Sequence, residues 1–182
     1  MQGRLLVGLM VTVMAVFCSC NRIKPQIPSN TEDTDQTAQD LIAFNKLCIE
    51  DERREIDAYL DSVKTQGEIF TRNEDGYWIR LVLEGPDSGK EITDGSSVAI
   101  AYSLELLDGT ICSQSTDGSL RIFTVGKREV EKGLDIAVEG MHMGDEAELI
   151  IPYNMAHGVT GDRGCIPPRT PILYRFKIIS VE

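Results

Sequence analysis

Histidine, tryptophan and positive charge are what this sequence has least of. His142 and His157 are its two histidines, Trp78 is its one tryptophan, and aromatic residues make up 6% of 182. Two histidines offer little for metal binding, and neither a calcium loop nor a zincin helix occurs. A site made of Cys112, His157 and Cys165 is conceivable, but its spacing is not diagnostic. Lys and Arg number 18 against 29 Asp and Glu, for a net charge of −11. That balance argues against nucleic acid as a partner, because phosphate binding needs clustered bases. The stretch "GPDSGKE" has the look of a phosphate loop. Yet only Pro86, Asp87 and Ser88 separate Gly85 from Gly89, and Glu91 follows Lys90 where a hydroxyl is needed. The chain shows no evident nucleophile, acid–base pair, cofactor motif or internal repeat.

Long apolar runs are also missing, with one short exception. Arg4 precedes an apolar segment from Leu5 to Phe17 that ends in Cys18-Ser19-Cys20. The segment is too short for a hydrocarbon core of about 30 Å and matches the core of a secretory signal. A small residue directly before a cysteine, as in Ser19-Cys20, resembles the lipobox of bacterial lipoproteins. On that resemblance residues 1–19 are a signal peptide, and Cys20 is the lipidated first residue of the mature chain. Ordinary signal cleavage with spare thiols is the alternative. With Cys20 lipidated, Cys48, Cys112 and Cys165 remain for an oxidising compartment, and one disulfide plus one buried cysteine is the simple arithmetic.

Residues 20–39 combine Pro25, Pro28 and a cluster of Thr, Asp and Glu, which reads as a flexible tether. Over residues 40–66 the pattern changes to Leu41, Phe44, Cys48, Ile56, Tyr59 and Val63 at three- and four-residue spacings, interrupted by Glu52. This predicts a long amphipathic helix, docked on its own domain or paired with a partner. Cys48, on its stripe, is expected as a buried small hydrophobe. From Gly67 onward the chain is β-rich. "GYWIRLVLEG" and "SSVAIAYSLELLDG" predict strands, the second ended by the turn Asp108-Gly109. Further strands are expected at 121–125, 146–152 and 172–181, with a short helix over 129–139. The fold class is α+β, an antiparallel sheet with one short helix late in the domain.

Two segments then become recognisable. "VGKREVEKGLDIAVEGMHMGDEAELIIP", followed by "HGVTGDRGCIPPRTPILYRFKIISVE", resembles the FKBP-type peptidyl-prolyl isomerases. "SSVAIAYSLELLDGT" is similar to that family's strand and Asp-Gly-Thr turn. The resemblance covers residues 67–182. The leading segments resemble those of lipid-anchored FKBP-like proteins of Bacteroidetes-type bacteria. It implies a sheet wrapped on a short helix, isomerisation of X–Pro bonds in proline-containing polypeptides, and no cofactor. It also implies a cell-envelope location, lipid-anchored and facing the periplasm, with self-association through the leading helix as a further expectation. The chemistry accounts for the missing motifs. Amide resonance makes X–Pro rotation slow, and the twisted transition state loses that resonance. An apolar pocket and one backbone N–H favour the twisted state without acid, base or nucleophile.

The family's site residues carry over by position. Its pocket tyrosine falls on Tyr102, and its helix-entry pair falls on Val130 and Glu131, the latter acting through its backbone N–H. The last-strand aromatic is Tyr174, and the Ile-Pro-Pro of the loop is Ile166, Pro167 and Pro168. Other positions differ. The family's Phe-Asp-Ser-Ser run reads Cys112, Ser113, Gln114 and Ser115. The floor tryptophan is Leu134, a ligand-reaching tyrosine is His157, and an aromatic near the third strand is Arg121, with Phe123 two residues on. The family fold also sets the positions of Cys112 and Cys165 beside the same cleft, which implies a disulfide between them.

Overall fold

The computed structural model describes residues 31–86, 89–116 and 118–182. The chain divides into two compact units, Met1–Leu41 and Ile42–Glu182. In the first, the described part is the opening turns of helix α1, Thr31–Lys64. Apart from where α1 begins, everything below concerns the second. The signal peptide and Cys20 lie outside the described residues. Helix α1 already starts at Thr31, inside the stretch expected as tether. An apolar stripe marks where a helix is buried rather than where it begins, and Gln36, Ala38 and Gln39 favour helix without supplying one.

The strands are β1 (Thr71–Arg72), β2 (Trp78–Leu83), β3 (Ser97–Leu106), β4 (Ile111–Gln114), β5 (Arg121–Thr124), β6 (Glu146–Ile151) and β7 (Ile172–Val181). Helix α2, Lys132–Ala137, falls between β5 and β6. The sheet is antiparallel in the order β1-β2-β6-β7-β3-β4. The outer edge of β3 is shared, with Ser97–Ile100 pairing β5 and Ser103–Glu105 pairing β4. β4 went unanticipated because "ICSQ" lies largely exposed and lacks apolar alternation.

Because side chains alternate across a pleated sheet, β2, β6 and β7 each feed two separate clusters. Leu149, Ile151, Ile172, Tyr174 and Phe176 join Leu134 and Val138 in the main core. α2 lies close against this face: a Cβ on Gly133 would meet Ile151 Cγ2 at 2.4 Å, so the helix can approach only with glycine there. Asp135 ties α2 to the end of β5 by accepting the Gly126 N–H at 3.0 Å. The intervening residues Ile150 and Leu173 face the other way and meet Ile56 of α1, with Tyr59, Leu60, Phe70 and Trp78 around them. α1 therefore docks on the back of its own sheet. Glu52, which interrupts the apolar stripe, accepts the Tyr153 N–H at 2.5 Å. Cys48 is free and half-buried, so the expectation of a buried thiol does not hold. It stands to one side of the buried pair Ile56 and Val63 that the helical repeat turns toward the sheet.

Beside that apolar patch the back face carries an ion network. Glu148 accepts from Arg80 at 2.8 Å and from Arg175 at 2.9 Å, and Arg175 also pairs with Glu105. Both carboxylates are buried at 8% exposure, which is tolerable because each is bonded to guanidinium. The two acceptors together hold the Arg175 guanidinium charged, against the opposing effect of its burial.

Candidate functional site

On the front face, β3, β5, β7 and the entry to α2 converge around two tyrosines. The rings of Tyr102 and Tyr174 lie 5.8 Å apart. They meet because Leu104 is the register partner of Tyr174, and Tyr102 lies two residues along β3 on the same face. Tyr102 is half-buried, and its hydroxyl is 2.8 Å from Ser113 Oγ on β4. Ser113 thus gives that hydroxyl a neutral partner. Tyr174 is fully buried, and its hydroxyl donates to Glu131 Oε2 at 2.9 Å. Burial and the Glu131 carboxylate push the Tyr174 phenol well up, so it remains a neutral donor.

Glu131 is the hub of the cluster. It is the N-cap of α2, with extended backbone angles (φ −56°, ψ 135°), and its side chain is 7% exposed. Oε2 also faces Arg121 Nη1 at 3.2 Å, and Oε1 lies 3.2 Å from His157 Nε2, off the line of a hydrogen bond. Arg121 Nη1 additionally donates to the Tyr174 hydroxyl. Its guanidinium sits 5.7 Å from the Tyr102 ring centroid and 6.0 Å from that of Tyr174. A buried carboxylate with these partners keeps its charge compensated. Arg121 and Glu131 are thus one ion pair set into a wall otherwise made of rings.

The loop from β6 to β7 closes one side. Two short 3₁₀ turns, Tyr153–Met155 and Gly158–Thr160, carry His157 between them. Beyond them Asp162 accepts the N–H groups of Gly164 (2.7 Å) and Ile166 (2.8 Å). The Gly164 N–H, chief among these, holds the Asp162 carboxyl below the usual carboxylate range. Gly161 is at φ 65°, and a Cβ there would stand 2.2 Å from the Ile166 carbonyl oxygen. Cys165 on this loop is disulfide-bonded to Cys112 on β4, with Cα atoms 5.4 Å apart. Both sulfurs are therefore used, and a metal site through Cys112, His157 and Cys165 would have no thiolate to offer.

The other residues named from sequence divide into two groups. Val130 packs at the margin of the core, beside the cluster. Phe123, Leu134 and Ile166 are buried at 2% exposure or less and belong to the core. Arg121, met in the sequence only as a substituted aromatic, is the functional-looking residue that pattern reading leaves out. Its sole signal is that substitution. A groove of about 610 Å³ lies elsewhere, between α1, the β1–β2 turn and Pro152–Met155. Its charged wall of Glu52, Arg53, Asp57 and Arg72 converges on no common point of chemistry, so the tyrosine cluster is the candidate site.

Comparison with known proteins bears on this arrangement. Residues 89–179 match the family model of the FKBP-type peptidyl-prolyl cis-trans isomerases. A relative from Dictyostelium discoideum, FK506-binding protein 3, is 33% identical over 101 residues, covering 54% of this chain and 52% of its own length. Human peptidyl-prolyl cis-trans isomerase FKBP10 is 37% identical over 106 residues, 57% of this chain and 18% of that protein. Arabidopsis thaliana FKBP53 is 29% identical over 178 residues, 86% of this chain and 37% of that protein. The chain thus spans about half the length of the first relative and less of the other two, and all three are eukaryotic. A matched segment that contains β3 to β6, α2, most of β7 and every residue of the tyrosine cluster places this chain in the FKBP-type peptidyl-prolyl cis-trans isomerase family.

Proposed function

We propose that this chain catalyses cis–trans rotation of X–Pro bonds in polypeptide clients, in the cleft walled by Tyr102 and Val130 above the fully buried Tyr174. The observation that carries this reading is the paired rings beside the N-cap of α2. The planar amide holds a rotational barrier of about 18–20 kcal/mol, which falls only if the twisted state is bound better than the planar one. The Tyr102 ring and Val130 grip the proline, and Tyr174 backs the Tyr102 ring from below. The Glu131 N–H lies ahead of the helix ladder and is positioned to hold a carbonyl of the twisted peptide. No proton transfer is needed.

A second reading, a binding module with little turnover, is favoured by one observation: the Glu131 side chain fills part of the cleft, with Arg121 bonded over it. Exchange spectroscopy of proline peptides by NMR, with the full chain, separates the two. Acceleration that Tyr102→Ala abolishes supports catalysis. Peptide binding without acceleration supports the module.

Anchoring is part of the proposal and rests on the sequence alone: Ser19-Cys20 after a short apolar segment, with a cell-envelope location facing the periplasm. The eukaryotic relatives lend it nothing. Loss of a lipid-sized mass and of membrane fractionation in Cys20→Ala would support it. Self-association through α1 rests on Ile42, Phe44, Leu47 and Ile49, each at least half exposed. Its readout is solution mass by light scattering, with Ile42→Ser and Leu47→Ser together expected to give the monomer.

A further inference from the structure

We infer that Arg121 makes the cleft selective for proline segments carrying a carboxylate side chain next to the proline. The inference rests on the cleft being where proline segments bind. A peptide entering there does not meet the Glu131 carboxylate, whose side chain is 7% exposed and covered by Arg121, the Tyr174 hydroxyl and His157. It meets the guanidinium, 27% exposed, and the imidazole, 24% exposed. Arg121 uses Nη1 for Glu131 and Tyr174, while Nε and Nη2 have no partner among the described residues. Those two nitrogens form the edge that matches a carboxylate with two parallel hydrogen bonds.

The rings fix the direction of that edge. With its carbon 5.7 and 6.0 Å from the Tyr102 and Tyr174 centroids, the guanidinium lies within the range of cation–π attraction. It is one side-chain length from a proline ring resting on Tyr102, the accessible ring of the pair. The acceptor it can reach therefore belongs to a residue adjacent to the proline. An overall charge of −11 would on its own disfavour acidic ligands. That field acts over distance and is screened within about 10 Å at 0.1 M salt, whereas the contact with Arg121 is direct.

The test uses the full chain and two peptide series, with Glu, Gln, Leu or Lys either before or after proline. In each, the isomerisation rate and the binding constant are measured. The expected result is a preference for Glu over Gln of about fivefold in one series, the scale of a partly exposed ion pair. Lys should be the poorest. Arg121→Gln should remove the Glu preference, and Arg121→Lys should restore part of it. Equal treatment of Glu and Gln in both series by the unmodified chain overturns the inference, whatever the variants do. If no peptide is isomerised but Glu peptides bind best, catalysis fails and the selectivity stands. If peptides are isomerised without regard to the neighbouring charge, the reverse holds.

Discussion

At the scale of single residues, the cleft depends on a few acceptors that organise loops and rings. Asp162 is the clearest, because its oxygen closes the loop onto the Gly164 and Ile166 N–H groups. Its carboxyl is held low, so the ordering it provides is complete above the usual carboxylate pKa and is lost as pH falls through the lower folded value. The expected outcome is that the Gly164 and Ile166 amide resonances shift together below about pH 4. Asp162→Ala should show the displaced positions at neutral pH. A sequence reader sees the glycines and prolines of this loop and the family it resembles, but not this carboxylate. Its role exists only once the chain doubles back on itself by two and four residues. Arg121 was illegible for a different reason. A cation in place of a ring reads as a lost contact until Glu131, ten positions on, is seen beneath it.

At the scale of elements, the long helix is best understood as the cover of the sheet's back face. Ile56 is 1% exposed against Ile150 and Leu173. Ile56→Ala is expected to cost about 2–4 kcal/mol, read as a lower denaturant midpoint. Trp78 packs at the same cluster, so its emission should shift to the red in that variant. Glu52 gives the opposite expectation. Burial, more than Glu55, raises its carboxyl, and the Tyr153 N–H only partly offsets this. A raised carboxyl makes the folded state more stable as pH falls through the folded pKa toward the unfolded value. Glu52→Gln keeps the oxygen that accepts the N–H and removes the charge. It should raise the melting temperature at neutral pH, with the gain vanishing below about pH 4. The helix itself was legible, because its apolar spacing is regular. What Glu52 does within it was not, since its partner Tyr153 lies 101 residues away.

At the scale of the whole molecule, the Cys112–Cys165 bond joins β4 on one edge to the loop that leads into the central strand β7. It spans 53 residues, a closure that removes about 4 kcal/mol of unfolded-state freedom in the chain-entropy model. Cys112→Ser with Cys165→Ser should lower unfolding free energy by an amount of that order, measured by chemical denaturation. Added dithiothreitol should leave the double variant unaffected while lowering the midpoint of the unmodified chain.

The position of β7 has a consequence of its own for how the protein is made. β7 is the last strand in the order of the chain, yet it lies inside the sheet, bonded to β6 on one edge and β3 on the other. A ribosome therefore delivers β1 to β6, α1 and α2 before the strand that joins the two halves of the sheet. Until Ile172–Val181 has left the exit tunnel, Tyr102 has no Tyr174, Ile150 has no Leu173, and two strand edges stand open. During that interval the nascent domain is itself a client for protection, a hazard that ends only when its final strand slides into the gap.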